Sequence, residues 1–194
     1  MGKPMIGYLT KQKLGVEGKR GMAYDYILAH NGLFLEAENP LIKARIRVGE
    51  AEVRGLLEMT ERVELVNGLV PSYMLALALR QMREDIDREL YLAVTWPGER
   101  YAMETPYQEK AAASVRYNPV PNTVLDFHSH GRMSAHFSHT DDLDDQGFRI
   151  SVVIGKLDQS VAEMSMRLGM FGYHANVSFL EVFSGDKPLD LTVA

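Results

Sequence analysis

The stretch from Leu125 to Asp142 reads LDFHSHGRMSAHFSHTDD and carries four of the six histidines of the chain, His128, His130, His136 and His139. Histidine is uncommon, so such crowding asks for a cause. Two readings compete: a metal site, or a polar loop that leads into a helix. The segment up to His130, TVLDFHSH, reads as a strand. Residues two apart on a strand face the same way, so His128 and His130 project side by side. That arrangement offers one ion two imidazoles. The next carboxylate downstream is Asp141, and the intervening loop is long enough to fold back and complete the shell. Zinc suits such nitrogen and carboxylate donors, and a catalytic zinc takes three protein ligands plus water. Against this, Ser138-His139-Thr140-Asp141 also fits an S-x-x-D capping box, with the acidic run after it well placed at a helix start. His136 and His139 read as exposed loop histidines. Asp126 shares the face of His128, either as a partner for an imidazole or as a polar residue at a strand end.

Outward from this stretch, DDLDDQGF begins a short helix or turn. RISVVIGKL, AEMSMRLGMFGY and NVSFLEVFSG then read as three more strands. Upstream, LYLAVTW is a buried strand that Pro97-Gly98 ends, and TPYQEKAAASVRYNPVPNT is a further strand or an irregular excursion. Before it, Leu75, Leu79, Met82, Ile86 and Leu90 follow helical spacing, which predicts a helix from a Ser72 N-cap to about Glu89. Nearer the N-terminus, YDYILA and LFLEAE flank His30-Asn31-Gly32, and Asn-Gly is a strong hairpin signal. His30 reads there as a turn residue. IKARIRV alternates like a half-buried strand, and the segment from Glu52 to Val70 is ambiguous. Strands and helix in irregular order predict an α+β fold. The break near Gly68–Pro71 predicts two domains, a β-rich one over 1–70 and a mixed one over 71–194.

The composition, 46% hydrophobic and 24% charged, is that of a chain able to bury a core without staples. The absence of cysteine removes disulfides, thiolate catalysis and cysteine-held zinc together. A formal net charge of -5 with no long basic run does not favour binding to nucleic acid phosphates. No apolar run reaches the length of a membrane span, MGKPMIGYLT has no signal-peptide core, and Ile6 breaks the myristoylation pattern. A soluble, cytoplasmic protein that engages neither nucleic acid nor membrane is expected.

Spacing screens the other uses of H-x-H. A metallo-β-lactamase pattern fails at Arg132 and Met133. A cupin would need a Glu where Ser134 and Ala135 stand. A metal-dependent barrel hydrolase would need most of a barrel after His130, and the oxygenase pattern starts H-x-D. The pattern H-x-H-x7-S-x-x-D, here His128, His130, Ser138 and Asp141, resembles the JAMM (MPN+) metalloproteases, and the likeness extends over about residues 72–185. It implies an α+β fold with a mixed β-sheet and flanking helices, here preceded by the β-rich domain. It implies zinc held by His128, His130 and Asp141, with Ser138 donating a hydrogen bond to the oxyanion. It also implies an upstream Glu as general base, usually in E-x-x-G. Glu89 stands at that junction, although Leu92 replaces the Gly, and Glu84 and Glu99 are rivals. Gly131 stands where the family commonly has Pro, which would loosen the metal loop. The implied activity is cleavage after the C-terminal Gly of a ubiquitin-like protein, at an isopeptide or a peptide bond. Its partners would be ubiquitin-like conjugates and, by analogy with bacterial relatives, ubiquitin-like conjugation enzymes. A non-catalytic binding scaffold and a small-molecule amidase with the same zinc centre are the alternatives.

Overall fold

A computed structural model describes residues 2–110, 115–117, 120–144 and 146–194. The chain divides into two compact units, Met1–Val66 and Asn67–Ala194. The division falls ahead of the expected one at 70/71, because Val70–Pro71 pair with Phe183–Ser184 of the second unit.

The first unit is one six-stranded sheet. Its strands are β1 (Ile6–Gln12), β2 (Gly15–Lys19), β3 (Tyr24–Ala29), β4 (Gly32–Glu38), β5 (Ile42–Gly49) and β6 (Arg62–Leu65), in the order β2-β1-β3-β4-β5-β6. The Asn-Gly signal is realised as a tight hairpin, with Ala29 opposite Gly32. Gly32 is required there. Its φ is +145, and a Cβ would lie 2.6 Å from the Gly49 carbonyl oxygen. Leu9, Ile27, Ala29 and Phe34 bury one face together with Met59 from the loop before β6. The ambiguous stretch from Glu52 to Val70 thus contains only one strand of any length.

The second unit opens with β7 (Val70–Pro71) and α1 (Ser72–Glu84) and continues through β8 (Tyr91–Thr95) and β9 (Ala102–Glu104). A two-stranded antiparallel sheet, β10 (Gln108–Lys110) and β11 (Val115–Tyr117), occupies part of the stretch read as a strand or excursion; residues 111–114 and 118–119 of that stretch lie outside the described residues. Then come β12 (Thr123–Ser129), α2 (His139–Asp144), β13 (Phe148–Gly155), β14 (Ala162–Met170), β15 (Tyr173–Asn176), α3 (Phe179–Val182), β16 (Phe183–Ser184) and β17 (Leu191–Val193). The larger sheet runs β15-β14-β13-β12-β8-β9, with β17 parallel to β14. β12 and β13 are parallel and the other neighbours along the main path are antiparallel, so the sheet is mixed. β8, β12 and β13 form its middle and are almost wholly buried.

Three local expectations are corrected. The fold is α+β only in the loose sense of mixed sheets with few helices, since α1 alone among the described helices exceeds six residues. The flanking helices implied by the resemblance are therefore sparse. α1 buries Leu75, Leu79 and Met82 as its periodicity predicts, but Pro71 rather than Ser72 takes the N-cap position, with no side-chain cap hydrogen bond, and the helix stops at Glu84. Ile86 and Leu90 keep the helical spacing yet leave the helix, because Leu90 is claimed by the neighbouring strand. Its N–H donates to Ser129 Oγ at 2.8 Å, and its carbonyl accepts the Ser129 N–H at 3.0 Å. Finally, NVSFLEVFSG is not one strand. Ser178 and Glu181 form a capping box, which opens the one-turn helix α3 before β16.

Candidate metal centre

β12 ends at Ser129, so His128 projects from the strand and His130 from the first residue beyond it. The chain still holds His130 in line, since its N–H donates to the Ile154 carbonyl of β13 at 2.8 Å. The two rings lie 5.2 Å apart between centroids. Asp141, in the first turn of α2, completes the group. Its Oδ1 is 3.3 Å from His128 Nε2 and its Oδ2 is 3.8 Å from His130 Nε2. One potential ligand atom from each of the three residues lies within 4.8 Å of the others.

The capping box and the carboxylate site coexist. Asp141 Oδ2 accepts the Ser138 N–H at 2.6 Å, and Ser138 Oγ accepts the Asp141 N–H at 3.2 Å. This reciprocal pair starts α2 and at the same time aims Asp141 at the imidazoles. The cap and the metal reading, opposed on sequence grounds, are one structure here.

The electrostatics fit a cation. Burial alone would raise the pKa of Asp141, but the adjacent His128 imidazole and the Ser138 donors outweigh it and hold the carboxyl well below the usual range. Burial, with His128 beside it, pushes His130 down to about 4, so its ring is a neutral donor at physiological pH. His130 Nδ1 is buried without a hydrogen-bond partner among the described residues, and the polar neighbour of the buried His128 Nε2 is the Asp141 carboxylate. A buried polar nitrogen left without a partner is costly. A metal ion held by two imidazoles and a carboxylate is the group this donor set suits.

Of the three acids weighed as base, Glu84 and Glu99 are exposed, whereas Glu89 is buried. Burial raises its pKa, the charge of Asp141 adds to that, and His128 opposes it. Glu89 thus shares an electrostatic environment with the cluster. Its place follows from the early end of α1 and from the Ser129 hydroxyl that grips Leu90. Ser129 is a residue that sequence reasoning passed over. It points away from the histidine face of β12, and no pattern marked it. Asp126 is paired with Arg149, whose Nε lies 2.8 Å from its Oδ2. His136 is exposed and contacts Ser134 through Nδ1, with its ring 5.5 Å from that of His130; His139 is exposed as well. Gly131 does not loosen the loop. Its carbonyl accepts the Leu157 N–H at 2.9 Å, and Lys156 N–H donates to Met133 O at 2.7 Å.

A mixed sheet that carries a His-His-Asp group able to hold a metal ion is the arrangement that the resemblance to a JAB-type domain implies. The chain belongs to the prokaryotic homologs of the JAB domain, whose family model matches residues 52–169, more than half of the sequence. Members of that family are often metal-dependent hydrolases. No curated protein matches the chain. The match begins inside the first unit, ahead of the region that the motif alone suggested. Among the described residues, no helix is long and apolar enough to cross a membrane.

Proposed function

We propose that the protein is a zinc-dependent peptidase or isopeptidase that cleaves after the C-terminal glycine of a ubiquitin-like protein. The observation that carries the reading is the convergence of His128, His130 and Asp141 with a buried acid, Glu89, whose proton affinity is raised by the same surroundings. When bound there, zinc would supply a water acidified towards neutrality and a Lewis acid for the scissile carbonyl. Glu89 takes the proton of the attacking water and returns it to the departing amine. The Ser138 hydroxyl donates to the oxyanion as the carbonyl carbon becomes tetrahedral. The capping box keeps that hydroxyl beside Asp141. The substrates and partners in this reading are ubiquitin-like conjugates or precursors, with ubiquitin-like conjugation enzymes as companions in the cytoplasm. The net charge of -5 and the lack of cysteine suit that setting.

Metal analysis and a cleavage assay test the proposal. The purified protein should hold about one zinc per chain, and His128→Ala should hold none. Ubiquitin-like fusions should be cleaved after their terminal glycine, and a chelator should stop the reaction. Equal, near-zero zinc in both proteins would end the metalloenzyme reading. Zinc-dependent hydrolysis of small amides alone would replace the protein substrate by a small one.

A further inference from the structure

The sheet face that presents His128 continues into a row of buried polar side chains. The strand register sets Asp126 opposite Ser151, and Ser151 opposite Arg167 on β14. All three are buried. A buried guanidinium is costly unless it is held, and a solvated surface charge would not sit there. Arg167 is held on two sides. Its Nη1 pairs with Asp142, and its guanidinium carbon lies 4.0 Å from the centroid of the Phe137 ring. Phe137 in turn meets the His128 ring edge-on at 6.0 Å. Phe137 precedes Ser138 and Asp142 follows Asp141, so Arg167 grips both ends of the short segment that carries the capping box and the carboxylate.

We propose that Arg167 is a positioning residue for the metal centre. Through Asp142 and Phe137 it fixes residues 137–142 on the sheet, so that the Asp141 carboxylate stays over His128 and His130. This inference rests on the metal reading above. Arg167 need touch neither metal nor substrate. A six-residue helix such as α2 is not stable on its own and takes its order from what anchors it. Without the anchor, Asp141 would have to be ordered by the ion itself, and affinity would fall. Arginine suits the task because a flat guanidinium can pair with a carboxylate and stack on a ring at once, which lysine cannot do.

The test uses the full chain as wild type, Arg167→Gln, Asp142→Asn, Phe137→Leu, the Arg167→Gln/Asp142→Asn double variant and His128→Ala. Zinc affinity is read by competition with a chromophoric chelator, and coordination by the visible spectrum of the cobalt-loaded protein. Melting in excess chelator reports the fold. The Asp142 side chain is 45% exposed, so Asp142→Asn should melt like wild type in chelator. It should nevertheless bind zinc about tenfold or more weakly, as residues that orient metal ligands do, with an altered cobalt spectrum. Arg167→Gln should show the same loss, and the double variant should be no worse than Arg167→Gln, since both remove one interaction. If Arg167→Gln does not fold, Asp142→Asn and Phe137→Leu decide. Wild-type zinc affinity and an unchanged cobalt spectrum in Asp142→Asn and Phe137→Leu would overturn the positioning role and leave the metal reading standing. A wild type that binds no more zinc than His128→Ala would overturn the metal reading itself, and this proposal with it.

Discussion

Glu89 and Gly131 each carry an argument that a single substitution can check. Burial and the charge of Asp141 raise the pKa of Glu89, with His128 opposing. In the metal-free protein the Glu89 carboxyl should therefore titrate above the ordinary glutamate range. A general base must be ionised, so activity should fall as pH falls through its pKa. Glu89→Gln should keep its zinc and lose turnover by about 10²- to 10⁴-fold, read by metal analysis beside a steady-state assay. Full activity in Glu89→Gln, with Glu84→Gln or Glu99→Gln dead, would place the base elsewhere. Gly131 has a φ of +54, and a Cβ there would lie 2.5 Å from the Ile86 carbonyl oxygen. Gly131→Ala should cost about 1–2 kcal/mol or more in urea unfolding. Gly131→Pro should cost more, because the ring fixes φ near −65°. The family's usual proline is thus incompatible with this loop as built. The position of the glycine was legible in the sequence. Its reason was not, since it lies in the turn that follows α1, far away along the chain.

α2 shows how one short element serves stability and chemistry together. Ser138 accepts the Asp141 N–H, and Asp141 accepts the Ser138 N–H in return. Ser138→Ala removes one half of that exchange and should cost about 1 kcal/mol of stability. If the hydroxyl also donates to the oxyanion, turnover should drop by about 10²- to 10³-fold, and Ser138→Thr should restore most of both. A melt and an assay on the two variants separate the roles, because a mere cap would lower the melting temperature and leave turnover near wild type. The box and the ligand spacing were legible because both are written within a few residues. So was the β3–β4 hairpin, where Asn31-Gly32 provides the turn chemistry. The end of α1 was not, because the pull on Leu90 comes from Ser129 through a hydrogen bond that no local pattern encodes. α3 was missed because Ser178-Phe179-Leu180-Glu181 carries a capping box inside a stretch whose apolar residues look like a strand. β1 and β2 drew no separate notice. Their turn at Lys13-Leu14 has none of the usual signals, and Gly15 alone supplies the positive φ.

Across the whole chain, the His-His-Asp group and Glu89 all belong to the unit Asn67–Ala194. The first unit contributes one histidine, His30, and its Nδ1 is occupied by the Val53 carbonyl at 3.0 Å. That contact ties the hairpin turn to the loop after β5, which is a structural duty. A chain that spends its first 66 residues on a sheet without site residues invites a recognition or assembly role for that sheet. Such remote contacts raise catalytic efficiency by positioning the scissile bond. A fragment starting at Asn67 should then bind zinc as the full chain does, and its kcat/KM on a ubiquitin-like fusion should fall by about tenfold or more. Its hydrolysis of a short peptide ending at the same glycine should fall far less, because that substrate lacks the folded body that such a recognition contact would engage. Undiminished cleavage of the fusion by a folded fragment would remove the recognition role. A fragment that cannot fold would show instead that the two units depend on one another. The family match from residue 52 gives that outcome weight, since residues 52–66, with β6, fall within the first unit and yet belong to the matched segment. A second fragment starting at residue 52 resolves it. If that longer piece folds and binds zinc where the shorter one fails, the functional boundary lies before β6, and the recognition role narrows to the sheet formed by β1 to β5.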